Sequence, residues 1–206
     1  MQNFLIETLD GSKASTIEPE ELELFKLFLY KCRYELESCV PFDSSNLFVA
    51  GGYFARRYIG IGIRDIDVYI NGDSVYFDFV VKEYCDAGYK IQTRHGKRAI
   101  VVNEKYTIDL INFHSPQHIT STSAFDFNVS KIAMDEKSVM IHSYGLVKEL
   151  CNRTLVFHGS NTNNKKQSVT RLIKYLQMGF TINDSDSKFF LDWVFGKTTY
   201  ETTGYA

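Results

Sequence analysis

Asp65 and Asp67 are separated by one residue at the start of the segment 65–70. The alternation of polar and apolar residues in this segment is typical of a β-strand. Side chains two apart on a strand share a face, so both carboxylates point one way and Ile66 and Val68 point towards a core. Neighbouring carboxylates repel each other and raise each other's pKa unless a cation neutralises them. Their oxygens suit a hard cation such as magnesium. By itself the pair is a weak signal and is more typical of an ordinary surface strand.

A glycine pair precedes this acidic strand. The apolar run 47–50 predicts a buried strand, Gly51 and Gly52 interrupt it, and residues 53–59 have a composition compatible with a helix. Successive backbone N–H groups in a glycine turn that leads into a helix form a cradle for anions. A phosphate cradle followed by a metal-binding acidic pair indicates phosphoryl or nucleotidyl transfer.

The segment 47–70 resembles the head domain of the CCA-adding enzyme and bacterial poly(A) polymerase family, which belongs to the DNA polymerase β-like nucleotidyltransferases. That family has Gly-Gly-x-Val-Arg-Asp, a short helix and loop, and then Asp-x-Asp. The sequence departs from it at Ala55, where the family has arginine. Arg56 and Arg57 follow at once and are candidates for supplying the missing charge to the nucleotide, beside Gly51 and Gly52.

The predicted strand 106–114 extends the resemblance. Ile108 to Phe113 is similar to the family's Ile-Glu-Val-Ala-Thr-Phe string, with Asp109 at the acidic position. Taken alone, Asp109 is equally compatible with an exposed strand. The resemblance implies that Asp109 is the third metal-binding carboxylate, beside Asp65 and Asp67.

The segment 126–135 is similar to the family's Asp-Phe-Thr-Ile-Asn-Ala-Leu-Ala-Tyr-Asp, a motif that handles the ribose and triphosphate of the incoming nucleotide. Asp126 stands at its first aspartate. Ala124 and Phe125 replace the arginine pair that precedes the motif in the family, and Lys131 is a candidate substitute. Nucleotide contacts are therefore expected to differ from those of the family.

A predicted helix from Ser168 resembles the family's Arg-x-x-Arg-Phe-Ala-x-x-Leu-Gly-Phe helix, one residue short. Arg171 and Lys174 take its two basic positions, and the resemblance assigns both to nucleotide binding. In the family a Glu-Asp-x-x-Arg element before this helix selects the base, and residues 164–167 do not reproduce it. The choice of base therefore stays open, with ATP or CTP favoured by the resemblance.

Hydrophobic periodicity predicts the elements that must position these residues. A helix over 18–38 has a buried stripe of Leu22, Leu24, Phe25, Phe28, Leu29, Cys32 and Leu36. A second helix over 75–87 precedes two strands, 89–93 and 99–103. The basic turn 94–98 between them is typical of a solvated hairpin, with contact to a substrate phosphate as the alternative.

The resemblance covers residues 47–180 and implies an α/β (α+β) fold, a mixed and mostly antiparallel sheet backed by helices, with a helical neck. We expect an N-terminal segment and helix at 1–46, the head at 47–160, and a short neck and tail at 161–206. The hinge 161–166 is predicted to be polar, and Trp193 is predicted to pack on the preceding helix rather than to form a binding surface. The tail from Lys197 is predicted to fray, and residues 1–17 to lie loosely on the surface.

Composition limits the partners. The 206 residues have a formal charge of −2, which argues against a basic surface throughout and requires any nucleic-acid contact to be local. The four cysteines have no zinc-ligand spacing and are expected to be reduced thiols. With no recognisable signal peptide and no apolar stretch long enough to span a membrane, a cytoplasmic location is expected.

The resemblance implies transfer of a nucleotide monophosphate from a nucleoside triphosphate to an acceptor hydroxyl. Two magnesium ions held by Asp65, Asp67 and Asp109 would assist, and an RNA 3′ end of the tRNA type is the first candidate acceptor. Members of the family continue into regions that hold tRNA, so a protein partner that replaces them is a further expectation. The alternatives are a protein- or small-molecule-nucleotidylating enzyme and a binding module of the same fold without catalysis.

Overall fold

The structure, a computed structural model, describes residues 5–41, 46–62, 65–113, 125–158 and 165–197. Its helices, α1 to α6 in chain order, are Pro19–Leu36, Gly52–Tyr58, Ser74–Asp86, Gly145–Cys151, Lys165–Gln177 and Asp184–Val194. Its strands, β1 to β10, are Leu5–Thr8, Leu47–Ala50, Asp65–Ile70, Lys90–His95, Arg98–Val102, Thr107–Asn112, Ile132–Met134, Ser138–Ile141, Thr154–Leu155 and Thr181–Ile182. The predicted hinge over 161–164 and the predicted tail after Lys197 lie outside the described residues.

Within these ranges, eight strands form one sheet in the order β1-β8-β7-β2-β3-β6-β5-β4, and β9 and β10 form a separate pair. The pairs β1–β8 and β3–β6 are parallel, and the other neighbours in the large sheet are antiparallel. The predicted α/β fold with a mixed, mostly antiparallel sheet is confirmed. Because β3 and β6 are parallel neighbours, the two predicted acidic strands run side by side.

Helix α1 begins as the sequence predicts, with a proline in its first turn and two glutamates beside it. Its buried residues, Phe25, Leu29, Cys32 and Leu36, follow the expected spacing and join the main core. Leu24 is an exception to the predicted stripe, because it is 62% exposed. It is one residue before Phe25, and a single step on an α-helix turns the side chain about 100° away from the core-facing stripe.

The N-terminal segment differs from its prediction. Instead of lying loosely, Leu5 to Thr8 form an edge strand that pairs in parallel with β8, from Leu5 opposite Ser138 to Thr8 opposite Ile141. Its residues alternate only between exposed and half-buried, so periodicity carries little signal. The strand is specified by main-chain hydrogen bonds to a partner more than a hundred residues away, which local sequence cannot reveal.

Aromatic rings connect the C-terminal helices to the sheet. Phe157 packs against Phe190 and Trp193, with ring centroids 4.8 and 5.2 Å apart, and Phe127 packs against Tyr175 at 5.8 Å. All five rings are buried. Trp193 is buried as predicted for a packing role, and Lys165 of the preceding helix α5 lies 5.6 Å from its ring centroid. No helix in the described part of the chain combines the length and the apolar character needed to cross a membrane.

Lys131 is fully buried, and its ammonium group has no hydrogen-bond partner among the described residues. Burial lowers the pKa of Lys131 to about 7, against the opposing charges of Asp126 and Glu149. The lysine is therefore not an exposed substitute for the missing arginine pair.

Two histidines, His142 and His158, lie close together near this lysine, with ring centroids 5.2 Å apart. Burial, Lys131 and His142 lower the pKa of His158 to about 3. Burial and Lys131 also lower the pKa of His142. Both rings are consequently neutral at physiological pH.

Replacing Lys131 with methionine is expected to stabilise the protein by about 1–2 kcal/mol near pH 7, because methionine fills the space without a buried charge. The pKa of Lys131 is lower in the native state than in the unfolded chain, so the unfolded chain takes up a proton first as the pH falls from about 10 towards 7. The free energy of unfolding decreases over this range and stays at the lower value below pH 7. The increase in stability should therefore be largest at and below pH 7 and vanish near pH 10. Urea titrations of both proteins across this range measure it, and an increase that does not change with pH would contradict the buried-charge explanation.

Candidate active site

Strands β3 and β6 bring two of the predicted carboxylates together. Their parallel register places Asp67 directly opposite Asp109, and Asp65 opposite Thr107. Asp67 and Asp109 are both partly buried, whereas the side chain of Asp65 is 69% exposed at the start of β3. The Asp67–Asp109 pair thus forms the inner part of the site, and Asp65 its outer edge.

Most of the sequence-predicted residues line one cavity of about 380 Å³ above this pair. Its charged walls come from six separate parts of the chain and comprise Arg56, Asp67, Arg98, Asp109, Asp126, Arg171 and Lys174. Gly52 contributes to the same wall. The volume is within the range of small-molecule sites, roughly 300–1,000 Å³. Four cations surround three carboxylates, so a metal ion between Asp67 and Asp109 would leave the cavity positively charged and suited to a ligand with several negative charges.

The two opposed carboxylates are not fully neutralised. Burial and then the negative charge of Asp109 raise the pKa of Asp67 to about 6, and Arg98 counteracts part of this effect. A divalent cation between the two carboxylates would remove the repulsion. The donor oxygens of Asp67 and Asp109 therefore fit magnesium chemically. In the described ranges no three acidic, histidine or cysteine side chains converge on a ready-made metal centre.

Arg98 occupies one side of Asp109. Its Nε donates to both carboxylate oxygens of Asp109, at 2.8 and 3.0 Å, and its Nη2 donates to Oδ2. Ile100 lies opposite Asp109 in the β5–β6 register, and Arg98, two residues earlier on the same face, reaches Asp109 diagonally. From the sequence, the basic turn that ends at Arg98 is expected to be a solvated hairpin, with contact to a substrate phosphate as the alternative. The pairing with Asp109 depends on strand register, which no local motif encodes.

The glycine turn lies against Asp67. Gly51 has φ +87°, a conformation that side chains disfavour, and a Cβ there would be 3.3 Å from Oδ2 of Asp67 and 3.4 Å from the ring of Phe125. Gly51 therefore allows the backbone to approach the carboxylate. Ala55, where the resembling family has arginine, is fully buried in the core.

The two arginines after Ala55 diverge. Arg56 lines the cavity, and its Nη1 is 3.7 Å from Oδ2 of Asp65. Arg57 points towards α1, where its Nε donates to Glu35 at 2.6 Å. Because consecutive helical residues point about 100° apart, only one of the two can face the cavity. Of the two candidates, the structure therefore places Arg56 and not Arg57 at the cavity, and nucleotide binding by either stays a prediction.

Helix α5 is attached to the site through Asp126. This aspartate is only 2% exposed, and Arg171 Nη1 donates to its Oδ2 at 2.6 Å. One turn along α5, the hydroxyl of Tyr175 is 2.5 Å from that of Ser130, a pairing that sequence analysis does not predict. Lys174, between them, lines the cavity. The ion pair thus holds two predicted nucleotide-binding residues together at the cavity wall.

This fold, with paired aspartates on adjacent parallel strands, is similar to that of solved tRNA nucleotidyltransferase structures. These structures include a CCA-adding enzyme in complex with ATP, with 19% identity and a TM-score of 0.56. The aligned region covers 89% of this chain and 46% of the enzyme's chain. A tRNA nucleotidyltransferase complexed with a primer tRNA and an incoming ATP analogue has 13% identity and a TM-score of 0.55, with coverage of 73% and 47%. The Thermotoga maritima CCA-adding enzyme complexed with tRNA has 19% identity and a TM-score of 0.55, with coverage of 88% and 43%.

These likenesses extend over a limited part of the neighbours. The chain spans less than half the length of each of these three structures. The sequence matches no protein-family model and no curated protein. The shared feature is therefore the fold of one region, and the activity has to be argued from the site.

Proposed function

We infer that this protein transfers a nucleotide monophosphate from a nucleoside triphosphate to an acceptor hydroxyl. The observation that carries this proposal is the direct opposition of Asp67 and Asp109 in a cavity with four cationic side chains. Opposed carboxylates with a raised pKa are unfavourable unless a cation joins them, and the surrounding cations match a triphosphate.

In this proposal Asp67 and Asp109, with Asp65 at the outer edge, hold two magnesium ions. When bound, magnesium neutralises the phosphate charge and lowers the pKa of an acceptor hydroxyl. Arg98 would exchange Asp109 for a substrate phosphate. Arg56 and Lys174 would neutralise the remaining phosphates, and Arg171, oriented by Asp126, would fix the position of the nucleotide.

An RNA 3′ end of the tRNA type is the proposed acceptor, with ATP or CTP as the proposed donor. Solved structures of the same fold are complexes with tRNA, with ATP and with CTP, which supports this choice of ligands. The reaction proposed on this basis is the extension of an RNA end. A protein partner that completes the RNA-binding surface, and a cytoplasmic location, remain part of the proposal.

A non-catalytic nucleotide-binding module is the second candidate. The bidentate pairing of Arg98 with Asp109 favours it, because a guanidinium already neutralises the third carboxylate without a metal ion. Such a module would bind triphosphate through the cationic wall but transfer nothing.

The deciding experiment incubates the purified protein with magnesium, total cellular RNA and each labelled nucleoside triphosphate in turn. Label in a tRNA-sized band is expected with the wild type and not with Asp65→Ala/Asp67→Ala. Asp86→Asn, an exposed change on α3, serves as the control. Label on protein would redirect the proposal to protein nucleotidylation. Triphosphate binding without any transfer would support the non-catalytic module.

A further inference from the structure

A second, larger cavity lies on the α1 side of the acidic strand. This open groove of about 1270 Å³ is lined by residues that include Tyr30, Lys31, Tyr34, Arg56, Asp65 and Lys105. Arg56 lines both cavities, while Asp65 faces the groove and Asp67 faces the nucleotide cavity. The groove and the nucleotide cavity therefore meet at the start of β3.

The α1 wall of this groove consists of residues outside the main core cluster, among which Tyr30 is half-buried and Tyr34 exposed. Leu27, Tyr30, Lys31 and Tyr34 are three and four residues apart, so they share one face of the helix, offset from its buried face. Tyr34 is 82% exposed. Tyr30 and Tyr34 are one helical turn apart, which spaces their side chains by about 6 Å. Two tyrosines at this spacing form a platform for two successive unstacked bases.

Charges in the groove favour an anion. The acidic side chains of the α1 wall are already paired with arginines, as in the 2.6 Å ion pair between Glu35 and Arg57. Lys31 on α1 and Lys105 between β5 and β6 are exposed and have no carboxylate partner in the described part of the chain; the ammonium of Lys105 lies 4.8 Å from the ring centroid of Tyr106. Two uncompensated cations beside stacking surfaces are the combination by which proteins bind single-stranded nucleic acid.

We propose that this groove binds the single-stranded 3′ end of an RNA acceptor, with bases on Tyr30 and Tyr34 and phosphates at Lys31 and Lys105. In-line transfer requires the acceptor hydroxyl to approach from the side opposite to the leaving pyrophosphate. Asp65 lines the groove and Arg56 lines both the groove and the nucleotide cavity, so an RNA 3′ end in the groove would reach the bound nucleotide from beside the start of β3. The role of the bound RNA as acceptor rests on the proposed function, whereas RNA binding by the groove does not.

The test measures RNA binding without catalysis. A fluorescent single-stranded RNA of about ten nucleotides is titrated with protein in EDTA, without triphosphate, and its anisotropy is followed. Lys31→Ala/Tyr34→Ala is expected to weaken binding about tenfold or more. The matched control is Phe79→Ala/Lys82→Ala, which removes an exposed aromatic ring and an exposed lysine at the same spacing on α3.

Single variants separate stacking from charge. Tyr34→Ala should weaken binding at an unchanged salt dependence, and Tyr34→Phe should retain most of the affinity because the ring is kept. Lys31→Ala should reduce the slope of log K against log salt by about 0.7, the value expected when a protein neutralises one phosphate fewer on a single strand. A blunt RNA duplex should bind less tightly than the single strand, since its bases are stacked and paired.

The outcomes distinguish this proposal from the proposed function. If the wild type binds single-stranded RNA no better than the double variant does, or if the α3 control weakens binding equally, the groove proposal is overturned. RNA binding that depends on Lys31 and Tyr34, without nucleotide transfer, would support the groove proposal and contradict the proposed enzymatic function. Transfer of label to protein that depends on Lys31 and Tyr34, without RNA binding, would overturn RNA in favour of a polypeptide occupant.

Discussion

Replacing Asp67 with asparagine is expected to reduce nucleotide transfer about 10³-fold or more, and at the same time to raise the melting temperature at neutral pH. The reduced activity follows because the amide has no charge with which to hold a metal ion beside Asp109. The higher stability follows because the carboxylate is partly buried and faces Asp109. A carboxylate that lowers the free energy of unfolding when no ligand is bound is expected in a site where a bound cation neutralises it.

The pH dependence of this stabilisation has a definite sign. The pKa of Asp67 is raised on folding to about 6, so the native state binds a proton more tightly than the unfolded chain does. The contribution of protonated Asp67 to the free energy of unfolding is fully present below about pH 4 and is lost as the pH rises through 6. Asp67→Asn should therefore be about 2 kcal/mol more stable than the wild type at pH 7, with the difference shrinking towards pH 4.

Thermal melts without metal, from pH 4 to 8, measure this difference, and the transfer assay measures activity on the same preparations. Asp86→Asn removes a carboxylate from the surface of α3 and should change neither property by much. Equal activity in Asp67→Asn and the wild type would refute the catalytic assignment. A melting temperature that falls at pH 7 would contradict the electrostatic origin of the raised pKa.

Replacing Phe157 with alanine is expected to have the largest effect on stability, a decrease of about 3–5 kcal/mol. The ring is buried and packs against Phe127, Phe190 and Trp193, with centroids between 4.8 and 5.5 Å away. Removing it leaves a cavity between the sheet and α6 that these rigid rings cannot fill. Phe157→Leu keeps most of the volume and should cost less than half as much.

Trp193 makes this prediction easy to measure because it is the only tryptophan in the sequence. Its fluorescence reports α6, while circular dichroism reports the whole chain during unfolding in urea. Coincident transitions in the wild type would indicate that the head and the C-terminal helices unfold as one unit. Separate transitions would support the division near residue 160 that the sequence suggests. Phe195→Ala, at an exposed ring, is the control and should leave both transitions in place.

Local motifs predict the residues of the site better than their pairings. Asp67, Asp109, Asp126, Arg171 and Lys174 all follow from sequence motifs, and they line one cavity. Their mutual geometry is not predictable in the same way, because an aspartate motif does not say which cation will reach it. Short-range patterns encode which face of a strand a side chain occupies, and the partner on the next strand depends on register.

Arg98 and Arg57 illustrate two ways in which the structure departs from sequence-based expectation. The sequence favours a solvated turn for Arg98, yet the antiparallel β5–β6 pairing brings it to Asp109. The sequence favours nucleotide binding for Arg57, yet the helical step from Arg56 turns it to Glu35 on α1. In both cases the residue type is correct for binding an anion, and the direction of the side chain decides which anion it meets.

By itself the sequence indicated the acidic strands, the glycine turn and the buried face of α1, because each of these follows from residue types and their local spacing. The fold class followed from the resemblance of its motifs to those of a known family. Tertiary structure alone decided that Asp67 faces Asp109, that β1 completes the sheet edge, and that Tyr34 and Asp65 line the same groove. These interactions join segments that are distant along the chain. Their free energy comes from packing and main-chain pairing between whole elements, and no single segment carries that information.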